Sequence, residues 1–345
     1  MSGLVLVANA GDGTITSLRL DPTGDPTLTT LTSTPVGKGC GTLAVDSERG
    51  LVYAATKEPS IVTLRIDEQS GALSEIARRE IDEELAYVTL APGGDVVLGA
   101  SYGGGCAMTW LVGAKAGAAE GVLGDEVSRV EYANCHCVVT DADGRHAYVV
   151  SLGDDLVAQF DLAADGTLTP MEPATVAMPD GCGPRHLEID GDVAYLVTEY
   201  SAEVFRLGVT EDGRLVRDES AEPVRIDSPE ADLAHSVMGA DPAKERLRWG
   251  ADVHRTGRWL LASERTASTI ATVALGEDGR LEDVVAITDT EKQPRAFGIA
   301  PDGINVVAVG EKSTQAALLR VEDDGSLTLL DTAEVGETAR WVAFV

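Results

Sequence analysis

Four side chains of this 345-residue chain make a set fit for acid–base chemistry on a small anion: His136, Arg185, Glu199 and Arg265. An imidazole or a carboxylate can take up and return a proton. Two guanidinium forks can hold an oxyanion or an anionic substituent through paired hydrogen bonds. Tyr102, His186, Glu264, Lys292 and Arg295 stand beside them as candidate substrate-binding groups, Lys292 and Arg295 for a phosphate or distal carboxylate. These cations occur in a chain with 27 Lys and Arg against 57 Asp and Glu, a formal net charge of −30. Positive charge gathered at one place in so acidic a chain marks a candidate anion site.

Local spacing does not bring these residues together, but an internal repeat does. Thr42–Thr56, Cys137–Ser151 and Leu187–Thr198 each read apolar run, Asp/Gly turn, apolar run, with further copies at Ala251–Ser263 and Phe297–Val309 and a weaker one at Tyr87–Ser101. A third alternating run follows, such as Ile61–Ile66 or Val157–Leu162, then another Asp/Gly turn and a fourth short run, as at Gly166–Pro170. Four antiparallel strands recurring at roughly 45–50 residues is the period of a propeller blade. Six full units follow residue 40; Leu4–Leu31 supplies three strands of a seventh and Ala339–Val345 its missing first strand. The expected fold is therefore all-β: a seven-bladed β-propeller with four antiparallel strands per blade, one domain over residues 1–345. Its ring is closed by the N- and C-terminal strands, which removes the open edges. The longer interval at Ser228–Arg246 is expected to form a loop on one rim.

In this architecture the residues just before strand 1 and just after strand 2 of each blade converge on one mouth of the central channel. The starts of strand 1 give His136, Arg185 and Arg295, with His186 and Lys292 close by; the ends of strand 2 give Lys57, Tyr102, Glu199 and the Glu264-Arg265 pair. Each has a plainer reading. Arg185 and Arg295 follow Gly-Pro and Gln-Pro and could be turn residues, His136 a core histidine, Glu199 a solvated hairpin residue, and Arg265 the local partner of Glu264. A partly buried Glu199 would need a raised pKa to exchange protons near neutrality.

Other motifs carry less. Cys135-His136-Cys137 suggests zinc, but strand alternation turns His136 away from both cysteines and no second ligand pair has zinc spacing. No metal or cofactor is expected. Gly103–Gly105 reads as a hairpin turn rather than a phosphate loop, and there is no Gly-x-Ser-x-Gly nucleophile elbow. Acidity and an aromatic content of 4% argue against nucleic-acid and anionic-membrane partners. Five cysteines suggest no disulfide framework. The start Met-Ser-Gly-Leu-Val-Leu-Val-Ala lacks a basic region, and no stretch has the length of a membrane span. These features point to a cytoplasmic protein, a monomer or weak homo-oligomer, acting on a small anionic molecule.

At these same residues the chain resembles the seven-bladed lactonase family, which includes bacterial cycloisomerase-type 6-phosphogluconolactonases and fungal 3-carboxy-cis,cis-muconate lactonising enzymes. The matching stretches are Gly183-Pro-Arg-His186, Arg248-Trp-Gly-Ala-Asp-Val-His254, Glu264-Arg-Thr-Ala-Ser268 and Gln293-Pro-Arg-Ala-Phe-Gly298, with the Ser101–Gly105 hairpin and the Cys135-His136 strand start. They keep their order over nearly the whole chain. The resemblance implies a pocket built from His136, Arg185, Glu199 and Arg265. It also implies a lactonase acting on 6-phosphogluconolactone or a related sugar-acid lactone. Two other functions are open at this point: a cycloisomerase closing a lactone from a carboxymuconate, and a non-catalytic propeller scaffold. In the lactonase reading His136 or Glu199 is the base, and the two arginines hold the oxyanion or an anionic substituent. The sequence departs from the family pattern in the cysteines flanking His136, in a first blade without a clear motif, and in a shortened turn around Asp190.

The acidic surface generates a test of its own. If the charge of −30 is an adaptation to high salt, screening relieves self-repulsion and the melting temperature should rise as KCl is taken to molar concentration. A flat or falling melting temperature assigns the acidity to compositional bias instead.

Overall fold

The structure, a computed structural model, describes residues 3–345; Met1 and Ser2, and the part of the N-terminal reading that rests on them, lie outside the described residues. Seven antiparallel sheets are arranged in a ring, each of four strands, with a short fifth strand, Val224–Arg225, added to one of them. The blades are numbered here by their innermost strands: Ala339–Phe344 in blade 1, Thr42–Asp46 in blade 2, Tyr87–Leu90 in blade 3, Cys135–Thr140 in blade 4, Pro184–Asp190 in blade 5, Gly250–Thr256 in blade 6 and Ala296–Ile299 in blade 7. Each inner strand touches the next around the ring, and that of blade 7 touches that of blade 1. Closure is as expected: Ala339–Phe344 pairs with Gly3–Asn9, Val7 opposite Val342 and Val5 opposite Phe344. Neither terminus leaves a bare edge to recruit another chain.

The core lies between blades rather than within one. Leu98, Ala100 and Ala107 of blade 3 pack on Val138, Val149 and Phe160 of blade 4, and similar apolar layers fill the other inter-blade spaces. The repeated tyrosine of strand 2 has a defined task in this packing. The Tyr148 hydroxyl donates to the Gly213 carbonyl of the next blade at 2.5 Å, and Tyr195 donates to Gly279 at 2.8 Å. Burial of the ring contributes apolar area, and the hydroxyl is satisfied on a turn that would otherwise leave an unpaired carbonyl. The outermost strands are the most exposed; in Leu73–Glu80 only Leu73 is buried.

The Ser228–Arg246 interval is a rim segment containing two single-turn helices, Pro229–Ala231 and Pro242–Glu245, each capped by the side chain before its proline (Ser228 and Asp241). It is tied to blade 5, where the Ser236 amide donates to the Tyr200 carbonyl at 3.0 Å. Among the described residues no helix is long and apolar enough to cross a membrane.

Ring closure generates a prediction. A chain ending before Ala339 loses the buried Ala339 and Val342 and leaves the inner edge of Gly3–Asn9 unpaired. It should lose the cooperative thermal transition followed by circular dichroism and shift to aggregates on size exclusion. A truncated chain that melts like the full one contradicts the role assigned to the last strand.

Candidate functional site

Each inner strand begins at the same face of the ring, and four of them begin with an irregularity. Cys135 pairs with Ser151 and Cys137 with Val150, so His136 is the extra residue of a β-bulge. Pro184 pairs with Thr198 and His186 with Val197, leaving Arg185 in the same position, and Ala339 and Trp341 flank Arg340 likewise. In blade 6 the bulge takes in Ala251 and Asp252. A bulge breaks the two-residue alternation of a strand and re-aims one side chain. This corrects the simple alternation expected around His136. Cys135 is buried between blades 3 and 4, and Cys137 lies in the apolar cluster that joins blades 4 and 5. At one level the ring therefore presents, in blade order, Arg340, Gly41, Ala86, His136, Arg185, Ala251 and Arg295.

Above this ring lies a cavity of about 530 Å³. His136, Glu199, Arg265 and Arg295 line it, with Tyr102 beside His136 and with Trp249 and Arg340 completing the wall. Arg185 does not reach the cavity; it is fully buried behind Glu199. Its Nε donates to Glu199 Oε2 at 2.9 Å, and Arg265 Nη2 donates to the same oxygen at 2.9 Å. Glu199 Oε1 has no partner among the described residues. Arg265, placed in the sequence reading as a possible partner of Glu264, instead pairs with Glu199 and lies 3.7 Å from the Trp249 ring centroid. The indole holds the guanidinium flat by a cation–π contact. Glu264 is spent on the backbone: its carboxylate accepts from the amides of Trp249 (2.7 Å) and Ala267 (2.6 Å) and does not line the cavity. Lys292 is exposed and also stands outside the cavity.

His186 lies one layer below. It packs with Tyr87 and Trp341, with ring centroids 5.3 and 5.9 Å away, and with His136 at 5.2 Å. Arg185 Nη1 donates to His186 Nε2 at 3.1 Å; a guanidinium has only donors, so His186 carries its proton on Nδ1. That proton is donated to Asp252 Oδ1 at 2.7 Å. Asp252 also faces His254 at 3.4 Å, and His254 meets Glu188 at 3.0 Å. These groups line a second cavity, of about 570 Å³, along the far half of the channel. The Arg248–His254 stretch is thereby accounted for almost residue by residue. Arg248 pairs with Asp227 at 3.3 Å, Trp249 backs Arg265, the Ala251 carbonyl accepts from Arg185 Nη1, and Asp252 fixes His186. Gly250 is required because a Cβ there would stand 2.2 Å from the Thr198 carbonyl oxygen, where blades 5 and 6 come closest.

Charge decides the protonation states. Burial alone would push the Glu199 carboxyl up, but Arg265, Arg185 and Arg295 outweigh it and hold the group below its usual range. The raised pKa that Glu199 would need to exchange protons near neutrality is not what the site provides: it is a firm carboxylate at neutral pH. Burial, then Arg185, hold His136 well below 6.5, so its imidazole is neutral; its Nδ1 is buried without a partner. The same causes bring His186 down to about 4.

Two wall residues, Arg340 and Trp249, and the partner of Arg340, Glu311, were not singled out in the sequence. Glu311 accepts from Arg340 Nε at 2.7 Å and lies 3.8 Å from Arg265 Nη1. Arg340 was legible in principle, since it opens the inner strand of blade 1 as Arg185 opens that of blade 5. Glu311, two residues past Val309, follows the end of strand 2 in blade 7. Trp249 carried no positional signal, because it arrives from the long rim segment. Among the described residues no group of three or more His, Cys, Asp or Glu is arranged to hold a metal ion.

Comparison with known proteins agrees with this geometry. The model of the "Lactonase, 7-bladed beta-propeller" family matches residues 4–344. The chain belongs to this lactonase family. It is similar to the 6-phosphogluconolactonase of Sodalis glossinidius, 28% identical with 99% of each chain covered. It is also similar to that of Pectobacterium carotovorum, 27% identical with 99% of this chain and 98% of the relative covered. A periplasmic gluconolactonase of Pseudomonas aeruginosa shares the fold with a TM-score of 0.85 at 22% identity, over 100% of this chain and 99% of that one. This lactonase is a carboxylic-ester hydrolase.

The electrostatics predict a titration. Followed by NMR, the His136 imidazole should stay neutral as the pH falls through 6.5. Arg185→Gln removes a neighbouring positive charge and should raise the His136 pKa. An imidazole that is half protonated at 6.5 in the unaltered protein, or one unmoved by the substitution, contradicts the electrostatic account.

Proposed function

We propose that this lactonase hydrolyses the lactone of a phosphorylated sugar acid, 6-phosphogluconolactone, in the upper cavity, with His136 as general base. The observation that carries this reading is an unpartnered, neutral imidazole on the wall of a cavity that also presents the Arg265, Arg295 and Arg340 guanidinium groups. In the proposed step His136 takes a proton from water as the water oxygen attacks the lactone carbonyl. The carbonyl oxygen becomes anionic beside Arg265, whose fork is held flat by Trp249 and turned by Glu199. Collapse of the tetrahedral intermediate breaks the ring C–O bond, and the leaving alkoxide takes the proton from His136, giving a hydroxy acid. Unlike the unpartnered His136 imidazole, Glu199 is committed through Oε2 to Arg185 and Arg265. It orients Arg265 through Oε2 and offers the free Oε1 to water or to a sugar hydroxyl. Arg185 acts through Glu199 and His136 and is a positioning residue. The names of the relatives support the phosphorylated substrate, and so does the excess of guanidinium groups over the two buried carboxylates, Glu199 and Glu311.

The test is a pH-stat assay of the purified protein with 6-phosphogluconolactone, unphosphorylated sugar lactones, and a carboxymuconate. Turnover of the phosphorylated lactone is expected. Arg265→Ala should lower kcat/KM by about 10²-fold or more, the scale of losing one oxyanion donor. His136→Gln should lower kcat by about 10²-fold or more, as expected for loss of a general base. Glu199→Gln should depress kcat more than it changes KM. Unaltered kinetics in both Arg265→Ala and His136→Gln on every lactone turned over removes this assignment.

A further inference from the structure

The upper cavity is electrostatically lopsided. On the side of blade 3, Glu83 and Glu84 stand at its rim. Across the ring from His136, at the starts of the neighbouring inner strands of blades 7 and 1, stand Arg295, just before its strand, and Arg340. Arg295 makes no hydrogen bond or ion pair with any described residue, although its side chain lines the cavity. Arg340 spends only Nε, on Glu311 at 2.7 Å, and its two terminal nitrogens have no partner among the described residues. A guanidinium held inside a protein without a partner is costly, and burial together with Arg185 brings Arg295 down to about 10. A site that keeps two unspent forks side by side is arranged for a ligand that supplies the missing charge.

We propose that Arg295 and Arg340 form a subsite for a phosphate monoester dianion, with Glu311 as the built-in counter-ion that limits its strength. This rests on the lactonase reading above. The charge count selects phosphate over carboxylate: Arg185, Arg265, Arg295 and Arg340 against Glu199 and Glu311 leave an excess of positive charge that matches a dianion, whereas a carboxylate would satisfy one fork and leave the other's terminal nitrogens unpaired. Geometry agrees. In a 6-phosphorylated sugar lactone the phosphate stands off the ring on a methylene arm, so carbonyl and phosphate need separate binding groups. The ring places His136 three blades from both Arg295 and Arg340. The acids at the blade 3 rim repel the phosphate toward the basic wall, which leaves the carbonyl end toward His136 and Arg265. Glu311 sits among Arg265, Arg295 and Arg340 and competes with the ligand for them. Such an arrangement keeps the empty site from accumulating repulsion and keeps phosphate from binding so tightly that the product is retained.

The experiment compares glucono-1,5-lactone with its 6-phosphate in the unaltered protein and in Arg340→Gln, Arg295→Gln, Arg340→Lys and Glu311→Gln. Binding of inorganic phosphate is measured on the same samples by calorimetry. In Arg340→Gln and Arg295→Gln the ratio of kcat/KM for the phosphorylated over the plain lactone should fall about tenfold or more, and phosphate binding should weaken. Arg340→Lys keeps the charge and should restore part of the ratio. Glu311→Gln should tighten phosphate binding. A ratio unchanged in both glutamine variants overturns the subsite, as does phosphate binding that is indifferent to all four substitutions. Failure of the underlying reading looks different: neither lactone is then turned over by the unaltered protein, while phosphate binding still reports on the two arginines. Preference for a dicarboxylate over phosphate in the calorimeter would overturn the choice of phosphate.

Discussion

One carboxylate oxygen at the centre of the molecule is shared by two buried guanidinium groups. Glu199 Oε2 accepts from Arg185 Nε and from Arg265 Nη2, each at 2.9 Å. Taking three charges out of water is expensive, and their mutual bonds offset part of that cost, although Arg185 Nη2 and Arg265 Nε stay buried without a partner among the described residues. The cluster's demands run outward from there. Arg185 must give Nη1 to the Ala251 carbonyl and to His186, His186 must be fixed by Asp252, and Arg265 must lie against Trp249. The close approach of blades 5 and 6 that permits these contacts in turn requires a glycine at 250. The most specific stretch of the sequence, Arg248–His254, therefore serves the cluster more than it serves a ligand directly.

The fold was legible because it repeats. Apolar runs around Asp/Gly turns gave the blades, and position within the repeat placed His136, Glu199, Arg265 and Arg295 at one mouth, where they line one cavity. Equivalence by repeat also predicted that Arg185 would sit beside His136, and Arg185 lies near enough to His136 to depress its pKa. What the repeat could not give is direction. Whether a residue at the start of an inner strand looks into the cavity or behind it depends on a bulge and on how the next side chain packs. Arg185 was therefore expected at the ligand and stands behind Glu199. His186 was expected there too and belongs to the layer below. Glu264 is consumed by two backbone amides, a role that its neighbour Arg265 concealed. The state of Glu199 was not legible for a similar reason: burial was foreseeable from position, but the three arginines that overrule it come from separate blades.

The bulges resolve a conflict built into any propeller. Inner strands must alternate to bury one face against each neighbouring blade, and strict alternation leaves no side chain for the axis. Inserting one residue at the strand start frees it for the mouth and leaves the rest of the strand in register. His136, Arg185 and Arg340 are those inserted residues, which is why a chain so regular elsewhere concentrates its titratable groups at one level. The arrangement also separates two tasks by depth. The inserted residues meet the upper cavity or brace those that do, while the next layer, buried His186 and Asp252 with half-buried Tyr87 and Trp341, fixes their orientation.

The net charge of −30 and the basic cavity are two sides of one constraint. An acidic exterior slows the approach of any anion, so an anionic substrate gains little from long-range steering here and must be drawn by short-range charge at the mouth. That charge is effective because the cavity wall is buried, where interactions are less screened than at the surface. It is also dangerous to stability, since guanidinium groups crowded together repel each other. Glu199 and Glu311 divide the remedy. Glu199 neutralises the pair nearest the reacting end and fixes their geometry, while Glu311 ties down Arg340 by one nitrogen and leaves Arg295 free. The positive excess that remains is confined to the side of the cavity farthest from His136. On the function proposed above, this asymmetry is what orients an anion entering the mouth.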